Sequence, residues 1–210
     1  MPQSHIEVEF EDGALDAFVA CPDAPGRRPP ILLFGDRGRL THEVRARAAR
    51  LSAHNYFVLA PDLDGRPADA RRDAAWACVD HLADDPRVDD VRVGVVGFGS
   101  GADLAIDLAA ARAERIAVAA AYGGRGLGPR VSSEISHKIN GFVRLGYPLG
   151  TSSPRVGLLE AALGMAGVLF DTEVYGGEPD WADLVDLLDR ILRSSEIARS
   201  GAAESRLGPG

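Results

Sequence analysis

The sequence predicts an α/β protein with a mostly parallel central sheet, an N-terminal β-hairpin and helices on both faces. Three observations carry this reading. Short apolar runs alternate with segments of helical period along most of the chain, as parallel strands joined by crossover helices require. The β-branched run at Val91, Val93, Val95 and Val96 leads into glycines at 97, 99 and 101 and then into small, helix-forming residues. That is a buried strand, a sharp turn and a helix. Finally, alternating apolar and acidic residues over 6–11, followed by Asp12-Gly13, mark the first arm of a hairpin.

The elements follow in order. The second hairpin arm covers 15–20, and the Pro/Gly/Arg-rich stretch 22–30 is a loop. A fully apolar strand at 31–35 ends in Asp36-Arg37-Gly38-Arg39. Thr41 is placed to cap a helix over 41–54, with Val44, Ala48 and Leu51 on one face. A strand at 56–60 is closed by Pro61-Asp62-Leu63-Asp64-Gly65-Arg66, and a helix over 68–83 turns Ala75, Val79 and Leu82 inward. After the glycine turn and its helix come a strand at 116–122 and a glycine-rich connection at 123–138, long enough to act as a lid. Strands at 141–146 and 168–175 flank a helix at 154–166. A closing amphipathic helix over 180–194 buries Leu184, Leu187, Leu188 and Ile191. Residues 1–195 read as one domain, with 196–210 a Gly/Ala/Ser-rich tail expected to be disordered.

Composition limits the partners. A formal charge of −8 argues against nucleic acid and anionic membranes, which select basic patches. No apolar run approaches the ~20 residues of a membrane helix, and the first residues lack a signal-peptide pattern; the expected location is cytoplasmic. Cys21 and Cys78 have no CxxC or metal-ligand spacing and read as small core residues. Neither a cofactor nor a metal is expected. A homodimer is compatible with the sequence. The basic residues are nearly all arginine, Lys138 being the one lysine, a composition suggesting a GC-rich bacterial genome.

With these residues in view, the chain resembles the dienelactone hydrolase family of the α/β-hydrolase fold over 6–192. The resemblance rests on the strand before Asp36, Leu59-Ala-Pro-Asp-Leu-Asp-Gly-Arg66, the elbow Gly97-Phe98-Gly99-Ser100-Gly101 and Ala119-Ala-Ala-Tyr-Gly123. It implies a nucleophile at the elbow centre, an Asp after the following strand and a His after the last one. The elbow centre here is Gly99, the Asp position falls at or near Leu149 in Gly146-Tyr-Pro-Leu149, and Tyr175-Gly-Gly-Glu-Pro-Asp-Trp181 contains no histidine. Three cooperating positions are lost together, and each alone supports catalysis by orders of magnitude.

Substitute catalytic groups are few. Asp36 aligns with an acidic residue near the nucleophile and is the first choice for acid/base work; the bland reading pairs it with Arg37 or Arg39. Ser100 either caps the helix, touches a ligand or acts as a shifted nucleophile. His137 is a surface loop residue or, if the loop closes, a general base. Asp180 caps the last helix or places a carboxylate near the elbow. Arg66 reads as an ion-pair partner of Asp62 or Asp64. The expected ligand-binding set is Arg37, Phe98, Gly99, Ser100, Tyr122, Tyr147, Glu178 and Trp181, around an anion-friendly pocket that Gly99 should deepen. Three functions compete. One is binding of a small carbonyl or carboxylate compound with a non-hydrolytic step (isomerisation, epimerisation or cyclisation), by analogy with atypical members of the fold in secondary metabolism. The second is an inactive scaffold or regulatory subunit. The third is a weak ester or lactone hydrolase using Ser100.

Overall fold

The computed structural model describes residues 3–10, 13–89, 92–124, 136–151 and 154–193. Asp12, most of the 123–138 connection and the 196–210 tail fall outside the described residues. An eight-stranded sheet runs through the molecule in the order β1-β2-β4-β3-β5-β6-β7-β8. Its strands are β1 (Gln3–Phe10), β2 (Gly13–Ala20), β3 (Pro30–Phe34), β4 (Phe57–Pro61), β5 (Val93–Phe98), β6 (Ile116–Tyr122), β7 (Phe142–Pro148) and β8 (Phe170–Tyr175). β1 and β2 pair antiparallel as the expected hairpin and β2 pairs antiparallel with β4, while every pair from β4 to β8 is parallel.

Helices cover both faces. On one, α1 (His42–Ala53) and α5 (Trp181–Leu188) pack Val44, Ala48, Leu51, Leu184 and Leu188 against Ile31, Val58, Val96 and Val118. On the other, α2 (Ala68–Asp84), α3 (Ser100–Ala111) and α4 (Pro154–Met165) pack Val79, Leu82, Ile106 and Leu163 against Leu32, Leu59, Val95 and Val143. Two covered faces explain why β3 to β6 are apolar throughout instead of alternating. Thr41 Oγ1 accepts from the Val44 N–H at 3.3 Å, capping α1 as the sequence indicates. Both cysteines are buried free thiols. The closing helix is shorter than expected: α5 ends at Leu188 and a π-helical turn, Asp189–Arg193, completes it. Among the described residues no helix is long and apolar enough to cross a membrane.

Candidate functional site

Two loops meet at the carboxyl ends of β3 and β5, where an open parallel sheet places its ligands. After β5, Gly99 takes φ 59, ψ −125 and α3 begins at Ser100. This is a region that costs a residue with a side chain about 1–3 kcal/mol. The flanking glycines are fixed by close approach. A Cβ on Gly97 would lie 2.1 Å from the Gly101 carbonyl oxygen, and one on Gly101 2.7 Å from that of Gly35. After β3, the 3-10 turn Asp36–Gly38 holds Arg37 in the left-handed region (φ 57, ψ 13).

Asp36 connects the two loops. Its Oδ1 accepts from the Ser100 N–H at 3.0 Å and from the Arg37 N–H at 3.0 Å. The Arg37 N–H also donates to Ser100 Oγ at 2.6 Å. A Cβ built on Gly99 would lie 2.5 Å from Asp36 Oδ1 and 2.8 Å from Asp36 Cβ. The carboxylate of a neighbouring loop therefore stands where an elbow side chain would begin. The Ser100 N–H, followed by its hydroxyl and the Arg37 N–H, holds the Asp36 carboxyl below the usual carboxylate range, against the opposing effect of partial burial. Asp36 is thus an ionised acceptor and a weak base.

Several expectations change at this point. Gly99 does not deepen the pocket, because Asp36 fills the space. The side chain of Ser100 does not cap α3; it holds the Arg37 backbone instead, and Asp36 takes the first N–H of the helix. Asp36 bonds the Arg37 backbone, not an arginine side chain, and Arg39 Nε pairs with Asp64 Oδ2 at 3.1 Å. Arg66 donates to the Ala14 carbonyl at 2.8 Å and lies over the Phe10 ring.

The other anticipated residues divide into separate groups. Behind the elbow, Phe98 stacks on Tyr122 (centroids 5.3 Å apart) and tilts against Trp181 at 6.1 Å, with Tyr175 edge-on to Tyr122 at 5.9 Å. The Arg47 guanidinium lies 3.7 Å above Phe98 and that of Arg50 4.8 Å above Trp181. Neither arginine is legible in the sequence as part of this group, because its aromatic partner lies far along the chain. Glu178 accepts from the Trp181 indole at 3.2 Å, and Asp180 caps α5 through the Ala182 and Asp183 N–H groups. Tyr122 is buried, and burial together with the Glu173 charge raises its pKa, so the phenol stays protonated. Tyr147 packs into the opposite core, with α2, α3 and α4, away from this cluster. His137 lies in a 3-10 turn whose Lys138 sits by Ala110 and Ala111, at the far end of α3 from Ser100. At 1.5 Å per residue that end is about 15 Å from the elbow. Leu149, where the resemblance would place an acid, is 77% exposed. Beside Ser100, Gly101 and Gly38 lies a cavity of about 140 Å³ into which Arg71, Arg72, Asp103 and Asp107 also face. Among the described residues no three His, Cys, Asp or Glu side chains are grouped to hold a metal ion.

This architecture has known counterparts. Residues 69–148, from the start of α2 to the end of β7, match the model of the dienelactone hydrolase family. A dienelactone hydrolase from Anabaena variabilis superposes with a TM-score of 0.71 at 18% identity, covering 90% of this chain and 96% of that one. A dienelactone hydrolase-like promiscuous phosphotriesterase from metagenomic libraries gives 0.78 at 18% identity, covering 90% and 99%. An α/β-hydrolase from a Penicillium species gives 0.70 at 14% identity, covering 92% and 100%. The fold is that of the dienelactone hydrolases. In that fold the N–H after the elbow residue and an N–H from the loop after the third strand form the oxyanion hole. In this dienelactone hydrolase-like chain the loops after β3 and β5 present the Arg37 and Ser100 N–H groups, and Asp36 accepts from both. A comparison with curated proteins finds no significant match.

Proposed function

We propose that this dienelactone hydrolase-like protein does not hydrolyse esters through an acyl-enzyme and acts by binding, as a scaffold or regulatory subunit. One observation carries the reading: the Asp36 carboxylate accepts both N–H groups of the hole and fills the space above Gly99. Acyl transfer needs a nucleophile, a base and a vacant hole for the developing oxyanion. Here residue 99 has no side chain, no histidine follows His137 and a resident anion opposes a second negative charge. A cytoplasmic location fits this role.

A second reading is supported by the cavity beside Ser100, where Arg71 and Arg72 could hold a small carboxylate. In it a carbonyl or carboxylate compound of bacterial secondary metabolism undergoes isomerisation, epimerisation or cyclisation, with Asp36 moving a proton. The depressed pKa of Asp36 counts against it, since a strong acid makes a weak base.

The test is fluorophosphonate labelling and p-nitrophenyl acetate turnover on wild type, Ser100→Ala and Asp36→Ala. All three are expected to be unlabelled and inert. Labelling of wild type that disappears in Ser100→Ala would establish a hydrolase using Ser100. Uptake of solvent deuterium into levulinate by wild type but not by Asp36→Asn would favour the proton-transfer reading.

A further inference from the structure

On the side of the molecule away from the β8 edge, β1 closes the sheet with one partner, β2. Among the described residues nothing pairs with its other edge, whose N–H and C=O groups form a template for one more strand. Alongside it runs an open groove of about 760 Å³, walled by Glu7 and Glu9 of β1 and by Asp73, Asp80 and Asp84 of α2, with Trp76 inside it. The three aspartates recur at spacings of seven and four along α2 and are all exposed, so they form one acidic stripe along the helix. Positive charge is sparse. Arg112 lies over the Trp76 ring and is already paired with Asp80 at 3.2 Å, His81 lines the groove, and Arg66, bonded to the Ala14 carbonyl, lies over Phe10.

We propose that the free β1 edge and the acidic stripe of α2 form a docking groove for a basic segment in extended conformation, which adds to the sheet beside β1. The mode is strand addition, in which main-chain hydrogen bonds supply affinity and the flanking side chains supply specificity. Charge selects the occupant. A second copy of this chain would set Glu7 and Glu9 against the same glutamates across the new strand pair, and like charges placed opposite are destabilising. A strand alternating arginine or lysine with apolar residues sets its cations on the face of Glu7 and Glu9 and its apolar side chains on the face of Val8 and Phe10, toward Trp76, while the stripe adds attraction at longer range. The negative charge that blunts the edge against self-association is what admits a basic partner.

The probe is a fluorescein-labelled ten-residue peptide alternating Arg and Val, followed by anisotropy on the full chain at 50 and 500 mM salt. Micromolar binding is expected at low salt, weakening at least tenfold at high salt. Asp73→Asn/Asp80→Asn/Asp84→Asn, all at exposed positions, should weaken it at least tenfold. The same peptide N-methylated at alternate residues keeps its charge but loses donors along one edge, and should also bind at least tenfold less tightly. Hydrogen exchange should slow at residues 3–10 when the unmethylated peptide binds. Equal binding of the methylated peptide, or of spermine at matched charge with no change in exchange over 3–10, would overturn strand addition in favour of simple cation binding. Absence of binding up to 1 mM would overturn the site. None of these outcomes depends on the elbow.

Discussion

Asp36 and Gly99 form a pair in which each residue makes sense only beside the other. Gly99→Ser must both accept a strained backbone and place its Cβ against Asp36, so it should destabilise the protein by about 2–4 kcal/mol in urea denaturation, the strain part being about 1–3 kcal/mol. Asp36→Ala would not relieve the collision, because Asp36 Cβ is itself only 2.8 Å from the built atom. Asp36→Gly would, and the cycle should show a coupling above about 1 kcal/mol; additivity would mean the two groups do not compete for one space. The same carboxylate gives a pH signature. Its folded pKa is depressed, so the stability it contributes is complete above the ordinary aspartate value of about 3.9 and is lost as the pH falls through the lower, folded value. Acid titration of wild type against Asp36→Asn should therefore show a stability difference that shrinks toward low pH. A constant difference would place the effect elsewhere.

At the scale of elements, the glycine turn is held by backbone packing. Gly97→Ala drives a methyl to within 2.1 Å of the Gly101 carbonyl oxygen, where no flexible side chain can yield. A loss of about 3 kcal/mol or more is expected, or failure to fold, whereas Gly176→Ala, with open space around it, should be nearly neutral. At the same end of the sheet, after β8, Asp180→Ala removes the α5 cap and should cost about 1 kcal/mol by chemical denaturation. These elements were legible because their signals are local. Helical period, the Thr41 and Asp180 caps and the β-branched runs all act within a turn or two, and boundaries shifted by only a few residues. The site was less legible because its decisive contact is not local. Gly99 announces an absent side chain and the resemblance brings Asp36 near it, but nothing in the sequence shows that this carboxylate, 64 positions from Ser100, fills the gap and takes its N–H. The same limit hid Arg47 and Arg50 over the aromatic rings, and it left His137 a candidate until its turn was seen beside the end of α3.

At the scale of the whole molecule, one buried cation links the last third of the fold. Arg144, on β7 and 5% exposed, donates through Nε to Asp171 on β8 at 2.8 Å and through a terminal nitrogen to Asp183 on α5 at 2.7 Å. The charge is tolerable in the interior because both carboxylates neutralise it, and they raise its pKa further. Removing one member of a fully buried pair costs about 3–5 kcal/mol, but Asp171 and Asp183 reach solvent and can rehydrate, so Arg144→Met should cost less, about 1–3 kcal/mol. The location of the loss matters more than its size. β8 is an edge strand held on its paired side by β7, whereas α5 packs its leucines on the core strands, so breaking the link should free β8 to open below the global unfolding energy. Hydrogen exchange in Arg144→Met should therefore quicken over 170–175 while β3, β5 and α3 keep their protection, leaving the elbow and its Asp36 contact intact. Uniform loss of protection would show instead that the link stabilises the fold as a single unit, with the last third no more separable than the core strands.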